Sequence, residues 1–278
     1  MNLIQAILMG IVQGLSEFLP ISSSAHLVFT SNFYKVFNGI EIVHSNQEVF
    51  FDIMLHFGTL IAVLIFFRKD IIEIFKALLK GDFSDTKAKM GLYIILGTVI
   101  TIVLALPLEG IADKLVFAPS IVGILLAATG IVLILSEKTP HPGPLPQGER
   151  EQVTLKQSIM IGLAQGLAAL PGLSRSGWTI AAGLFSGLDR VTAARYSFLL
   201  SIPIILGASM LYPFIKLDLH ELSSYNWHAI IAGTLVSGLT GYLCIKYFMK
   251  FLVKFSLAVF GYYCIIAGLA AAVFFYMK

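Results

Sequence analysis

Apolar runs of membrane-crossing length recur down this chain, and they leave it few ways to fold. Six of them, at about 50–67, 91–107, 117–135, 196–215, 227–247 and 255–277, approach the twenty residues an α-helix needs to cross about 30 Å of hydrocarbon. Lipid offers no partner to exposed backbone, so runs of this length are helices. Composition agrees: 57% of the 278 residues are hydrophobic and 13% are charged, about half the charged share of a soluble domain. The expected class is an all-α integral membrane protein.

Two further apolar regions are interrupted. Residues 2–37 break around Glu17-Phe18-Leu19-Pro20 and Ser22-Ser23-Ser24, and residues 158–188 break at Pro171-Gly172. Each arm before its break is too short to span the bilayer at 1.5 Å per residue. A short arm, a proline break, a serine cluster and a second short arm predict a re-entrant hairpin, whose irregular backbone is tolerated where protein or a wet cavity surrounds it.

The two broken regions are related. A shift of 152 residues aligns Gly10 with Gly162, Gln13-Gly14-Leu15 with Gln165-Gly166-Leu167, Ser22 with Ser174 and Ser24 with Ser176. That is six identities in sixteen positions, where such a composition gives roughly one by chance. Three spans separate the hairpins, an odd number, so the second should enter from the opposite face. The expected architecture is an inverted-topology repeat of six transmembrane helices plus two re-entrant hairpins. Its first repeat covers 1–137 and its second 158–278, joined by a linker over 138–157. The linker contains the Pro/Gly-rich stretch Thr139–Gly148, which can form neither helix nor core.

Basic residues orient this plan. Loops on one side hold fourteen Lys and Arg, from Arg68 to Lys254, while the other side holds only Lys35, Lys114, Lys216 and Lys278. The richer side belongs in the cytoplasm, which turns both termini and the mouth of the first hairpin outward. The overall formal charge of +3 is too small for a nucleic-acid footprint. Cys244 and Cys264 lie in apolar runs and read as small core residues. No basic residue precedes Lys35, so a cleavable signal peptide is not expected.

The polar residues that need explaining gather at the breaks. Glu17 sits in an apolar arm, where a carboxylate at the bilayer centre costs about 2.5–3.5 kcal/mol on insertion scales. Gln13 is one turn before it on the same face. Ser22, Ser23 and Ser24 can cap the outgoing helix, with His26 on its first turn. In the second break Gly172 lets backbone approach a ligand, Ser174 or Ser176 caps the next helix, and Arg175 projects from its start. A helix N-terminus with a planar guanidinium beside it suits phosphate oxygens. The repeat thus keeps its scaffold and varies its chemistry: Ser23 aligns with Arg175, Glu17 with Ala169 and His26 with Trp178. An acid, a hydroxyl and an imidazole beside an anion site suggest phosphoryl transfer or hydrolysis. His56, in mid-span, reads as a helix-packing residue. His44, His141, His220 and His228 need no role beyond loops and span ends.

At these residues the chain resembles a known family. Gln13–Leu27, with Glu17 four residues after Gln13 and Ser22-Ser23-Ser24 and His26 following Pro20, is similar to the E/Q-x-x-x-E motif and Ser/His segment of the undecaprenyl-diphosphate phosphatases, the bacitracin-resistance family. Leu170–Gly177 resembles their P-G-x-S-R-S signature, Phe51–Leu60 is also similar, and the match covers nearly the whole chain apart from the linker. The resemblance implies hydrolysis of undecaprenyl diphosphate to the monophosphate carrier of cell-wall synthesis, at the outer face of a bacterial inner membrane. Carried over by position, Glu17, Ser23, His26 and Arg175 are the catalytic residues. Gln13, Ser22, Ser24, Gly172, Ser174, Ser176 and Thr179 surround them as substrate-binding residues. The resemblance also implies a divalent cation, Mg or Ca, with Glu17 as its ligand; Gln13, where many members carry Glu, removes one anionic ligand. The expected partners are the lipid and the bilayer, with a homodimer as a candidate assembly.

Two mechanisms stay open in the sequence. Ser23 attacks phosphorus with His26 as base or acid and Glu17 orienting it, or His26 or Glu17 activates water while Ser23 positions phosphate. A second class of function also stays open, a transporter or flippase for a lipid phosphate or small anion, because midplane breaks suit transporters as well.

Overall fold

The computed structural model describes residues 2–37, 39, 46–140, 152–216 and 225–277, without the side chains of 211–216. Residues 141–151 of the linker, together with His44, His141 and His220, lie outside the described residues.

Within them the chain is helical: α1 (Leu3–Phe18), α2 (Ser23–Phe37), α3 (Asn46–Phe66), α4 (Arg68–Lys80), α5 (Thr86–Ala105), a 3-10 turn (Leu106–Leu108), α6 (Glu109–Leu115), α7 (Pro119–Ser136), α8 (Leu155–Leu167), α9 (Arg175–Phe185), α10 (Arg190–Lys216), α11 (Trp227–Leu252) and α12 (Ala258–Tyr276). Six elements are long and apolar enough to cross a membrane: α3, the run Thr86–Leu115, α7, α10 through Met210, α11 and α12. They fall on the six runs expected from the sequence. The four hairpin arms are shorter. α1 has 16 residues and α9 only 11, about 24 and 17 Å of rise.

Local chemistry sets the ends of these arms. Asn2 caps α1, its side chain accepting from the Gln5 amide at 2.8 Å. Pro20 then disfavours helical geometry in the residue before it, and Leu19 is extended, with φ −66° and ψ 143°. Thr154 and Gln157 form a reciprocal capping box at the start of α8.

The halves interlock rather than sit side by side. α1 packs along α11, and α8 packs along α5, so the entry arm of each hairpin lies on a span from the other half. The two contacts are built alike. Thr240 Oγ1 of α11 donates to the Gly10 carbonyl at 3.4 Å, and Thr101 Oγ1 of α5 donates to the Gly162 carbonyl at 3.2 Å. Without side chains at Gly10 and Gly162 the helix backbones approach closely, the usual basis of tight helix packing in lipid. α7 and α12 meet in the same manner through Gly123 and Gly268.

One element was not anticipated. α4 buries Ile74 and Ala77 but exposes Phe75 and Leu79 beside Lys76 and Lys80, the pattern of a helix lying in the membrane interface. Asp70 on it pairs with Arg195 of α10, and Glu73 pairs with Lys87 of α5 at 2.7 Å. Glu137, just past α7, accepts from Arg190 Nε and from the Leu257 amide, both at 2.9 Å. Burial alone would push its carboxyl up, but those donors outweigh burial and hold it below the usual carboxylate range.

Candidate active site

Both hairpin breaks fold by the same hydrogen bonds. In the first, Ser22 Oγ accepts from the Ala25 amide at 3.3 Å and lies 3.2 Å from Ser24 Oγ. In the second, Ser174 Oγ accepts from the Gly177 amide at 3.1 Å and lies 3.3 Å from Ser176 Oγ. Each serine caps an outgoing helix, α2 or α9, whose first turn carries amides without intrahelical partners and part of a positive charge.

The breaks touch each other. Ser176 Oγ donates to the Leu19 carbonyl at 2.9 Å, and the Gly172 amide donates to Ser24 Oγ at 3.4 Å. Glu17, only 6% exposed, bonds to both breaks. Its Oε1 accepts from Arg175 Nη2, across a sequence separation of 158 residues. Its Oε2 accepts from Ser23 Oγ at 2.6 Å and from Gln13 Nε2 at 3.0 Å. The carboxylate thus ties the hydroxyl of one hairpin to the guanidinium of the other, and this extra bonding offsets the cost of burying it.

The cluster opens on a cavity of about 650 Å³. Glu17, Ser22, Ser23, Ser24, Ser174, Arg175 and Ser176 line it, and Val49, Ile53, Val116, Phe117, Leu173, Ile204 and Ile205 supply apolar wall. Arg175 Nη1 has no hydrogen-bond partner among the described residues. The guanidinium therefore keeps one end of its fork uncommitted.

The structure distributes the expected site residues unevenly. Glu17, Ser23 and Arg175 meet at the cavity with the four serines. His26 is not among the lining residues; its Nδ1 lies 2.8 Å from the Ser22 carbonyl and its Nε2 2.7 Å from Tyr263 Oη of α12, on which it stacks. Gln13 is fully buried and reaches the site only through Glu17. Thr179 bonds Ser197 Oγ of α10 at 2.6 Å. Gly172 does permit close approach, but to α7: at φ +100° a Cβ there would stand 2.5 Å from the Val122 carbonyl.

His56, Asp52 and Asp113 line the cavity without having been singled out as site residues. His56 Nε2 is 3.6 Å from Glu17 Oε2, while its Nδ1 lies 2.8 Å from the Asp52 carbonyl. The signal available in the sequence was the segment Phe51–Leu60, which is similar to the family.

A divalent cation fits this donor set poorly. Glu17 has both oxygens engaged, a guanidinium sits on one of them, and no three His, Cys, Asp or Glu side chains converge among the described residues. A cation held by protein alone asks for more oxygen ligands than that.

Comparison with known proteins gives consistent matches over nearly the full length. The family model described as bacitracin resistance protein BacA matches residues 6–270. An undecaprenyl-diphosphatase of Methanobrevibacter smithii is 42% identical over 97% of this chain and 96% of its own length. Those of Halothermothrix orenii and Hahella chejuensis are 39% and 35% identical, the first over 97% of this chain and 96% of its own length, the second over 100% of both.

Proposed function

The chain belongs to the bacitracin resistance family, and we propose that it hydrolyses undecaprenyl diphosphate to undecaprenyl phosphate and inorganic phosphate in the cavity between its hairpins. One observation carries the assignment to this site: Glu17 joins Ser23 of the first hairpin to Arg175 of the second. The apolar wall suits the start of a prenyl chain, and the polar floor suits its diphosphate.

In this reading the Arg175 guanidinium and the amides opening α2 and α9 hold the non-bridging oxygens of the terminal phosphate. Ser23 Oγ attacks the terminal phosphorus and passes its proton to Glu17 Oε2, to which it already donates. The bond to the bridging oxygen breaks and undecaprenyl phosphate leaves with the electron pair. Water then releases phosphate from Ser23. Gln13 orients Glu17. A divalent cation enters only as a companion of the diphosphate, and no step is assigned to it.

Phosphate release by the purified protein in detergent tests the reaction, because a transporter has nothing to do without compartments. Tight binding of the lipid with no release of phosphate would overturn it.

The same reading places the cavity at the outer face of the plasma membrane. The connection from α6 to α7 lines it, and that side of the chain is poor in basic loops, whereas α4, Lys87 and Lys89 lie toward the rich one. In intact cells a cysteine replacing Gly110 should react with an impermeant thiol reagent and one replacing Ser84 should not. The reverse pattern would turn the site inward.

A further inference from the structure

Two histidines lie near the breaks, and their surroundings differ. His26 has both ring nitrogens within hydrogen-bond reach of protein oxygens, Ser22 O and Tyr263 Oη. His56 has one. A carbonyl can only accept, so the bond to Asp52 O puts the ring hydrogen on His56 Nδ1. In the neutral ring Nε2 is then a bare lone pair, and it points to within 3.6 Å of Glu17 Oε2. The side chain is 32% exposed and lines the cavity. An imidazole lone pair and a carboxylate oxygen have no hydrogen bond to share until a proton arrives between them. Ser23, donating to that same oxygen at 2.6 Å, is the source of one.

We propose that His56 is the terminal proton acceptor of this site, taking through Glu17 the proton that Ser23 gives up. The inference rests on the reading of Ser23 as nucleophile and adds to it where the proton goes. As the Oγ–P bond forms and the bond to the bridging oxygen breaks, the proton moves from Oγ to Oε2 and on to Nε2. The electron pair of the broken bond leaves with undecaprenyl phosphate. When water cleaves the phosphoserine, Oγ recovers a proton from Nε2 by the same route. The relay has a structural purpose. Glu17 must be an anion to hold Arg175, so a proton left on Oε2 would loosen the guanidinium while it grips phosphate, and transfer to Nε2 restores the ion pair. The other charged groups at the cavity are Asp52 on the same helix, Asp113 on α6 and the Arg175 guanidinium held by Glu17.

The full-length protein in detergent, assayed for steady-state phosphate release, tests this. His56→Gln keeps size and polarity but cannot take up a proton. Its kcat should fall about a hundredfold, the lower range for general acid–base groups, with KM little changed. His56→Ala should lose as much and recover several-fold on addition of free imidazole, which the cavity can admit; Ser23→Ala should not respond. A His56→Gln protein that turns over near the native rate, or that loses only in KM, overturns the proposal. Should His56→Ala misfold, His56→Gln decides alone. Activity retained in Ser23→Ala alongside a rescued His56→Ala would remove Ser23 as nucleophile and leave His56 accepting its proton from water.

Discussion

The two hairpins are built by the same bonds and equipped differently. Each is pinned by a threonine to a glycine carbonyl, each caps its outgoing helix with a serine, and each pairs that serine with another two residues on. At equivalent positions between these shared bonds stand Ser23 and Arg175, one a hydroxyl and the other a cation. Glu17 has only Ala169 opposite it, so one carboxylate serves both hairpins. His26 and Trp178 are also equivalent, and both turn outward: His26 to Tyr263 of α12, and Trp178, through Nε1, to Thr129 of α7 at 3.2 Å. A duplicated frame converging on one point can divide a reaction between its copies, one side reacting and the other gripping.

The largest expected effect removes the reacting side. Ser23→Ala should cost about a thousandfold or more in phosphate release while lipid-diphosphate binding persists; near-native turnover would erase the division between the hairpins. Next comes the gripping side. Arg175→Lys keeps the charge but not the fork, so turnover should drop on the order of a hundredfold, more than binding does. A lysine variant that works normally would reduce Arg175 to a partner of Glu17.

Smaller effects probe the frame. Each break holds one left-handed residue, but not at equivalent sites: Ser22 with φ +68° in the first and Gly172 with φ +100° in the second. Gly172→Ala meets both a disfavoured backbone and the Val122 carbonyl, and should destabilise by about 2–3 kcal/mol in a thermal melt. An unchanged melting temperature would show that α7 yields at this contact. Smallest, Trp178→Phe loses one hydrogen bond and His26→Phe two, about 1 kcal/mol for each bond, and both should change turnover less than about tenfold. A hundredfold loss in His26→Phe alone would break the equivalence and return that imidazole to the chemistry.

Much of this was legible in the chain itself. Spans and breaks declare themselves because a bilayer imposes length and apolarity on every crossing residue, and proline and serine act within a few positions of where they stand. Glu17 and Arg175 were visible as charges too expensive to be incidental. His56 was not, because an imidazole bonded to its own i−4 carbonyl looks like any polar residue settled in a helix. Thr179, Gly172 and His26 also sit within the motifs, yet Thr179 bonds Ser197 of α10, Gly172 packs on Val122 of α7 and His26 reaches Tyr263 of α12, contacts that the motif pattern does not record.

Hydropathy and local breaks therefore determined, by themselves, that the chain is a membrane protein with six spans and two matched interruptions, since both properties act along the backbone. Which motif residues face the cavity, which pack outward, and that His56 stands beside Glu17 were decided only by tertiary structure. Those outcomes depend on how each helix is rotated against partners more than a hundred residues away, and no local pattern records that rotation.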